Sequence, residues 1–522
     1  FHMIGEEPVQ RVHEQIEIKS FAELFQKRLP EGPPEAILKS IIRPFDLSQA
    51  PLLRAGLVKL GEAEHILWVD MHHIISDGVS IQVLVQDFSA LYAGKELPGI
   101  TLQYKDYAEW QNRERVHKKI REQGEYWKNE FAGEIPILEL PVDFARPDIQ
   151  AFEGDRLHFE IDSATSAALQ ALVQGAGATL YIVLLTLYNI LLAKLANRED
   201  IVVGSPVAGR RHADLEKIIG MFVNTLALRN YPAGEKEFVF FLQEVKENTL
   251  KALENQEYQY EDLVEEVTVT RDVSRNPLFD TMLALQNTGS QEIAIPDLQI
   301  VSEEMENKTA KFDLSLTAVE VSDKLSFTFE YSTKLFKPAT IERFIVYFKN
   351  LVKDAIDGKH RKIFQLEILT EAEKRQILFA FNDTEISYPQ SKTIHQLFAD
   401  QVKRTPDNIA LVGADPRVCP NCLTYRQLNK QSDALATRLI EKGVGPDTIA
   451  AIKIERSLEM IIAIFGILKA GAAYLPIDPE YPQERIDYIL KDSAAKILLT
   501  PAECVFNFHH SSFIIHHSNL ST

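Results

Sequence analysis

Residues 71–80 read Met71-His72-His73-Ile74-Ile75-Ser76-Asp77-Gly78-Val79-Ser80. The stretch just before it, Glu64–Asp70 (EHILWVD), has the apolar content of a buried strand. After it, Ile81, Leu84, Val85, Phe88, Leu91 and Tyr92 recur at helical spacing, and Gly94 is a natural stop. The decapeptide therefore joins a strand to a helix. Side chains alternate along a strand, so His72 and His73 are expected to face opposite ways, with one reaching a cavity and the other a buried, hydrogen-bonded support. Asp77, at the turn, can take an arginine or backbone donors and fix the loop. Gly78 is expected to supply a backbone angle that other residues resist. On the histidine pair alone, two core histidines beside a turn aspartate are the preferred reading; the full ten-residue string changes that.

Working outward, the chain alternates strands and helices, which gives an α/β class. Residues 105–150 are polar and helical and close on a connection holding Pro136, Pro141 and Pro147. Arg156–Ile161 alternates like a strand. Ala178–Ala196 (ATLYIVLLTLYNILLAKLA) is nearly long enough to span a membrane, yet it carries Asn189, Lys194 and two threonines and lacks asymmetric basic flanks. It is expected to be a helix buried on all sides. Strands are expected at Ile201–Val203, Phe222–Arg229 and Leu325–Tyr331, and a helix at Thr340–Ile356. Beyond a linker-like stretch at 360–392, a further unit begins near Thr393. It has helices at Ile394–Lys403, Tyr425–Lys442 and up to Lys469, strands at Ile409–Val412 and Thr448–Ile454, and a turn through Tyr474–Asp478.

The 522 residues carry 56 basic and 75 acidic side chains, a net charge of −19. A surface this acidic repels phosphate backbones and argues against nucleic-acid binding. The three cysteines are too few for a disulfide framework. Cys419 and Cys422 form a CxxC with no second pair for zinc, and a reducing cytoplasm suits them. The chain opens on Phe1 with no charged region leading into an apolar core, which argues against a signal peptide. The tail 505–522 is rich in His, Ser and Phe; His509-His510 and His516-His517 could bind metal, but an atypical chain end is the reading preferred, with no metal site assigned.

The string MHHIISDGVS resembles the HHxxxDG signature of condensation domains of nonribosomal peptide synthetases, and Met71, Ser76, Val79 and Ser80 also match that branch. Further resemblances follow in order: YKDYAEW at Tyr104–Trp110, IGMFVNTLALR at Ile219–Arg229, NQEYQYE at Asn255–Glu261 and RDVSRNPL at Arg271–Leu278. LTYRQL at Leu423–Leu428 and LKAGAAYLPID at Leu468–Asp478 resemble the first two motifs of an adenylation domain. Together these cover roughly residues 1–500.

The resemblance implies two chloramphenicol-acetyltransferase-like lobes forming a V, with the signature at their junction, followed by an incomplete α/β adenylation subdomain. The boundaries implied are 1–103 for the first lobe, 104–359 for the remainder of the condensation domain, 360–392 for a linker, 393–504 for the adenylation start and 505–522 for the tail. The activity implied is amide formation between a donor aminoacyl or peptidyl thioester and the α-amine of an acceptor aminoacyl thioester. Upstream and downstream peptidyl carrier proteins deliver both on phosphopantetheine arms; no cofactor is bound directly, and no membrane is involved. His73 is the candidate catalytic residue, His72 its support, and Asp77 and Gly78 shape the loop. A free α-amine has a pKa of about 8 and an imidazole about 6.5, so the amine needs little help in losing a proton. Positioning two reactants can supply about 7–11 kcal/mol, against about 10²–10⁴-fold for general-base catalysis. That favours hydrogen bonding by His73 to the amine or the tetrahedral intermediate.

Other motifs carry structural expectations. Phe222–Arg229 reads as a core strand from which Asn224 could reach the tunnel. Tyr104–Trp110 reads as packing between lobes, and Arg271, Asp272 and Arg275 as a salt-bridge brace between lobes. The family's arginine-rich motif, whose arginine is thought to pair with the signature aspartate, would lie before Phe1. Asp77 is therefore expected to lack its partner, with about 70 residues of the first lobe absent. The Gly-rich phosphate loop of an adenylation domain is also missing, so no ATP site is expected. An epimerisation domain of the same fold, and a non-catalytic platform that binds carrier proteins, stand as alternatives.

Overall fold

The computed structural model describes residues 1–500 except 6, 14–41, 63, 268–271, 287–297, 299, 301–307 and 413–421, and also residues 516–517. The chain divides into two units, residues 1–382 and 383–522.

The first unit opens with a short antiparallel pair, β1 (His2–Ile4) and β2 (Glu7–Val9), and a longer one, β3 (Leu53–Lys59) and β4 (His65–Met71). The expected buried strand at 64–70 is only half buried. Trp68 is covered, whereas Leu67 and Val69 on the opposite face are exposed, because a two-stranded sheet is packed on one side. Helix α1 (Gly78–Tyr92) follows and stops before Gly94, whose φ of 70° is left-handed. Two polar helices, α2 (Tyr104–Gln111) and α3 (Glu114–Glu130), lead on.

Strand β5 (Gly154–Ile161) and helices α4 (Ser163–Ala176) and α5 (Leu180–Ala196) start the large α/β body. Thr179 caps α5 by accepting from the Ile182 N–H at 3.3 Å. Every residue from Ile182 to Ala193 is buried, as the all-round apolar composition predicts. Its polar side chains are used locally: Thr186 donates to the Ile182 carbonyl and Asn189 to that of Leu185, both at 2.8 Å. Among the described residues no single helix is long and apolar enough to cross a membrane. α4 and α5 together have the length and composition but bend by 104°.

The remaining elements are β6 (Ile201–Val207), β7 (Asn224–Asn230), α6 (Phe238–Glu254), α7 (Tyr260–Val267), β8 (Thr281–Gln286), β9 (Leu314–Val321), β10 (Lys324–Ser332) and α8 (Pro338–Asp357). They build a six-stranded sheet in the order β5-β10-β9-β8-β6-β7. β8 runs parallel to β9 and β6, and the other neighbours are antiparallel. Alternate residues of β9 and β10, such as Leu314, Leu316, Phe327 and Phe329, are fully buried in a core they share with residues of α5 and α8. A fully buried side chain of this size contributes about 1.5–3 kcal/mol. The start of the stretch read as a linker is tied to this body. Ile363 and Leu366 join its core, and α9 (Glu371–Arg375) is fastened where Tyr347 donates to Glu373 at 2.8 Å.

The second unit has α10 (Ile394–Arg404), an antiparallel pair β11 (Ile409–Val412) and β12 (Cys422–Thr424), α11 (Tyr425–Glu441), β13 (Ile449–Ile452), α12 (Leu458–Lys469), β14 (Ala473–Pro476), α13 (Gln483–Asp492) and β15 (Ile497–Leu499). β13 lies between β14 and β15, parallel to both. Tyr474–Pro476, expected in a turn, is part of β14. Its parallel register with Ile449–Ile452 continues to the Ile477 N–H, which donates to the Ile452 carbonyl. Cys422 is half-buried at the start of β12; Cys419 lies outside the described residues. His509 and His510 also lie outside them, and no described group of three His, Cys, Asp or Glu is placed to hold a metal ion.

Candidate active site

Strand β4 ends at Met71, so neither histidine lies on it. Strand alternation therefore does not set the directions of the pair, because the chain turns at His72 into a single 3₁₀ turn, His73–Ile75. His72 caps that turn: its Nδ1 accepts from the Ile74 N–H at 3.1 Å, and its ring meets Phe45 edge-on at 6.1 Å. It is half-buried rather than buried, and it supports the loop through the backbone. His73 next to it is exposed.

Asp77 is the N-cap of α1 and sits in a buried network. Its Oδ1 accepts from the Ser80 N–H at 2.7 Å and lies 2.7 Å from the Ser80 hydroxyl. Its Oδ2 accepts from the Phe222 N–H at 3.1 Å. The expected orphan has a partner. Arg210 donates to Oδ1 at 2.9 Å, with both side chains 3 % exposed. Arg210 comes from the loop after β6, so Asp77 finds an arginine within the chain. Burial pushes the Asp77 carboxyl upward, but the bonds from Ser80, Phe222 and Arg210 outweigh it and leave it below the usual carboxylate range.

Gly78 departs from expectation too. It opens α1 without a left-handed φ, and a Cβ there would meet open space. The strained glycine is Gly209, with φ at 66°; a Cβ there would lie 1.9 Å from the Phe222 carbonyl oxygen. That tight approach lets Arg210 turn inward. Its other arm donates to the carbonyls of Leu215 at 2.5 Å and Ile218 at 2.6 Å, and its plane covers the Phe222 ring at 4.1 Å. Ser80 closes the circuit by accepting from the Gly220 N–H at 3.0 Å.

The aromatic motif at 104–110 packs against the same segment. Tyr104 donates to the Met221 carbonyl at 2.7 Å, and Tyr104 and Tyr107 stand 5.1 and 4.7 Å from the Phe222 ring. Burial pushes the Tyr107 phenol up to about 12. Asn224 does not turn toward a tunnel. Its amide donates to the Gln256 and Tyr258 carbonyls at 2.9 and 2.8 Å, which ties β7 to the chain before α7. Arg275 pairs with Asp280 at 2.5 Å and donates to the Leu138 carbonyl, so it braces the large body internally; Arg271 lies outside the described residues. The brace to the signature loop is Arg210, which the sequence reading passed over. Its one signal is Gly209-Arg210-Arg211 directly after a strand, and nothing there separates a buried arginine from an exposed one.

The family model for the condensation domain matches residues 1–378. This chain belongs to the condensation domain family. A second family model, AMP-binding enzyme, matches residues 398–518. Tyrocidine synthase 3 of Brevibacillus parabrevis is 46% identical over 500 residues, covering 96% of this chain and 8% of the relative. Gramicidin S synthase 2 of Brevibacillus brevis is 47% identical over 502 residues, covering 96% and 11%. The chain thus spans about a tenth of the length of these relatives. A crystal structure of a four-domain nonribosomal peptide synthetase bound to AMP and glycine aligns with a TM-score of 0.71 at 25% identity, over 89% of this chain and 36% of that one. The mixed α/β condensation fold followed by the start of an AMP-binding domain is what the sequence reading expects.

Proposed function

We propose that this condensation domain forms amide bonds in nonribosomal peptide synthesis. The α-amine of an acceptor aminoacyl thioester attacks the carbonyl carbon of a donor aminoacyl or peptidyl thioester. A C–N bond forms, the C–S bond breaks, the thiolate leaves, and the amine's proton is lost to base. Both substrates arrive on phosphopantetheine arms of upstream and downstream carrier proteins. The observation that carries this reading is the division of labour in the signature loop. Asp77 and His72 are occupied by backbone and by Arg210, while His73 is exposed at the turn they fix. A histidine held this way can hydrogen-bond the attacking amine or the tetrahedral oxyanion.

The Asp77–Arg210 pair braces the signature loop, which supports a catalytic reading over a non-catalytic platform. The AMP-binding match that follows the condensation match weakens the case for an epimerisation domain. Residues 398–500 contain no glycine-rich phosphate loop, so no ATP-dependent step is assigned to them. Single-turnover mass spectrometry with donor-loaded and acceptor-loaded carriers tests the proposal. Dipeptidyl product on the acceptor carrier, lost in His73→Ala, supports it; carrier binding with no product overturns it.

A further inference from the structure

A cleft of about 570 Å³ opens in the large body, away from the signature loop. It lies at the starts of β6 and β8, where Asp200 and Asp280 line it, whereas Arg210 follows the far end of β6. At about 3.3 Å per residue, the length of β6 puts roughly 20 Å between the two places. The volume is in the range of small-molecule sites, about 300–1,000 Å³. Its walls include Ile137, Val264, Leu278 and Phe279, and Glu261 and Glu265 stand one helical turn apart on its α7 rim.

One lining residue carries an unmet demand. Asp280 is 6 % exposed in its side chain, and Arg275 engages only Oδ2. Its Oδ1 is buried without a hydrogen-bond partner among the described residues. A buried carboxylate oxygen left unpaired is costly, and a positively charged N–H donor would offset that cost. Burial pushes this carboxyl up to about 6, with Asp313 adding to the push and Arg275 and Arg146 opposing it. Asp200, also on the lining, is already paired with Arg229 at 2.7 Å, so Asp280 is the acid with capacity to spare.

We propose that the cleft is a second small-molecule site that takes an organic ammonium ion with an apolar body. The ammonium donates to Asp280 within the field of Glu261 and Glu265, and the apolar part lies against Ile137, Val264 and Leu278. Among the described residues the lining offers an anion little, because its one cation, Arg275, is already paired.

Calorimetric titration of the full chain at pH 8 with tryptamine, and with its neutral counterpart tryptophol, tests this. Tryptamine is expected to bind and to raise the melting temperature, at least tenfold more tightly than tryptophol. Asp280→Asn and the paired Glu261→Gln/Glu265→Gln variant are each expected to lose at least fivefold. Ile137→Trp, at an exposed wall position, keeps the test open should Asp280→Asn fold poorly; it is expected to block binding with an unchanged circular dichroism spectrum. Equal binding of the two probes, or tryptamine binding indifferent to all three variants, would overturn the proposal, as would no binding at all.

Discussion

Asp77 and Arg210, 133 residues apart in sequence, meet at 2.9 Å with both side chains withdrawn from solvent. The pair joins the N-terminus of α1 to the loop after β6, and through Phe222 and Gly220 to the segment that enters β7. It holds the histidine loop against the large body. Breaking one partner of a buried pair costs about 3–5 kcal/mol, because the other charge stays buried alone. Arg210→Ala is therefore expected to destabilise the first unit by about that amount in urea unfolding. Arg210→Lys is expected to recover little, since one ammonium cannot reach Asp77, Leu215 and Ile218 as the planar fork does. The double variant Asp77→Ala/Arg210→Ala should be less destabilised than the sum of the two single ones. A loss below about 1 kcal/mol for Arg210→Ala would show that the pair is no brace.

The two histidines separate by readout. His73 is exposed and His72 caps the turn. His73→Ala is expected to change stability by less than about 0.5 kcal/mol while single-turnover condensation falls by about 10²-fold or more. His72→Ala should cost about 1 kcal/mol through the freed Ile74 N–H, with a smaller kinetic loss that follows the disturbed turn. Equal kinetic losses with no stability difference would contradict this division.

What the sequence made legible follows from where its signals are local. Helix α5 declares itself because a 17-residue apolar run can only be buried all round, and α8 because its apolar stripe repeats at helical spacing. The signature loop was legible through its resemblance. The partner of Asp77 was not, because a salt bridge across 133 residues leaves no periodic trace, and Arg211, one residue on, reaches Glu257 instead of Asp77. The half-exposed face of β4 escapes the sequence for a related reason. EHILWVD is apolar at consecutive positions, and composition cannot say that Leu67 and Val69 have no layer packed over them among the described residues.

Glycine needs differ from those the motif suggests. A methyl group at Gly78 meets open space at a helix start, so Gly78→Ala should fold with stability within about 0.5 kcal/mol of the parent or slightly higher. Gly209→Ala forces a left-handed φ on alanine and drives its Cβ into the Phe222 carbonyl, and is expected to cost more than about 2 kcal/mol. Thermal unfolding of the two variants side by side decides this. Should Gly78→Ala also keep its fold but lose product formation, the open space beside His73 is the room the substrates use.

Two carboxylates give the first unit opposite responses to acid. Asp77 is held below its ordinary range, so its contribution is present above an unfolded pKa of about 4 and is lost as pH falls below it. Asp280 is pushed up to about 6, chiefly by burial, among Arg275 on its own loop, Arg146 and Asp313 from adjoining segments, and Tyr260 of α7. Between about pH 4 and pH 6 the folded chain therefore binds more protons at this site than the unfolded chain does. Stability from Asp280 falls as pH rises through that window, by on the order of 3 kcal/mol for a shift of about two units. Asp280→Asn removes that titration. Urea unfolding of both proteins at pH 4, 5, 6 and 7 should show the variant gaining on the parent steadily up to pH 6 and level beyond it. A difference that stays constant across the series would mean that Asp280 is ionised throughout, and that Arg275 compensates its burial in full.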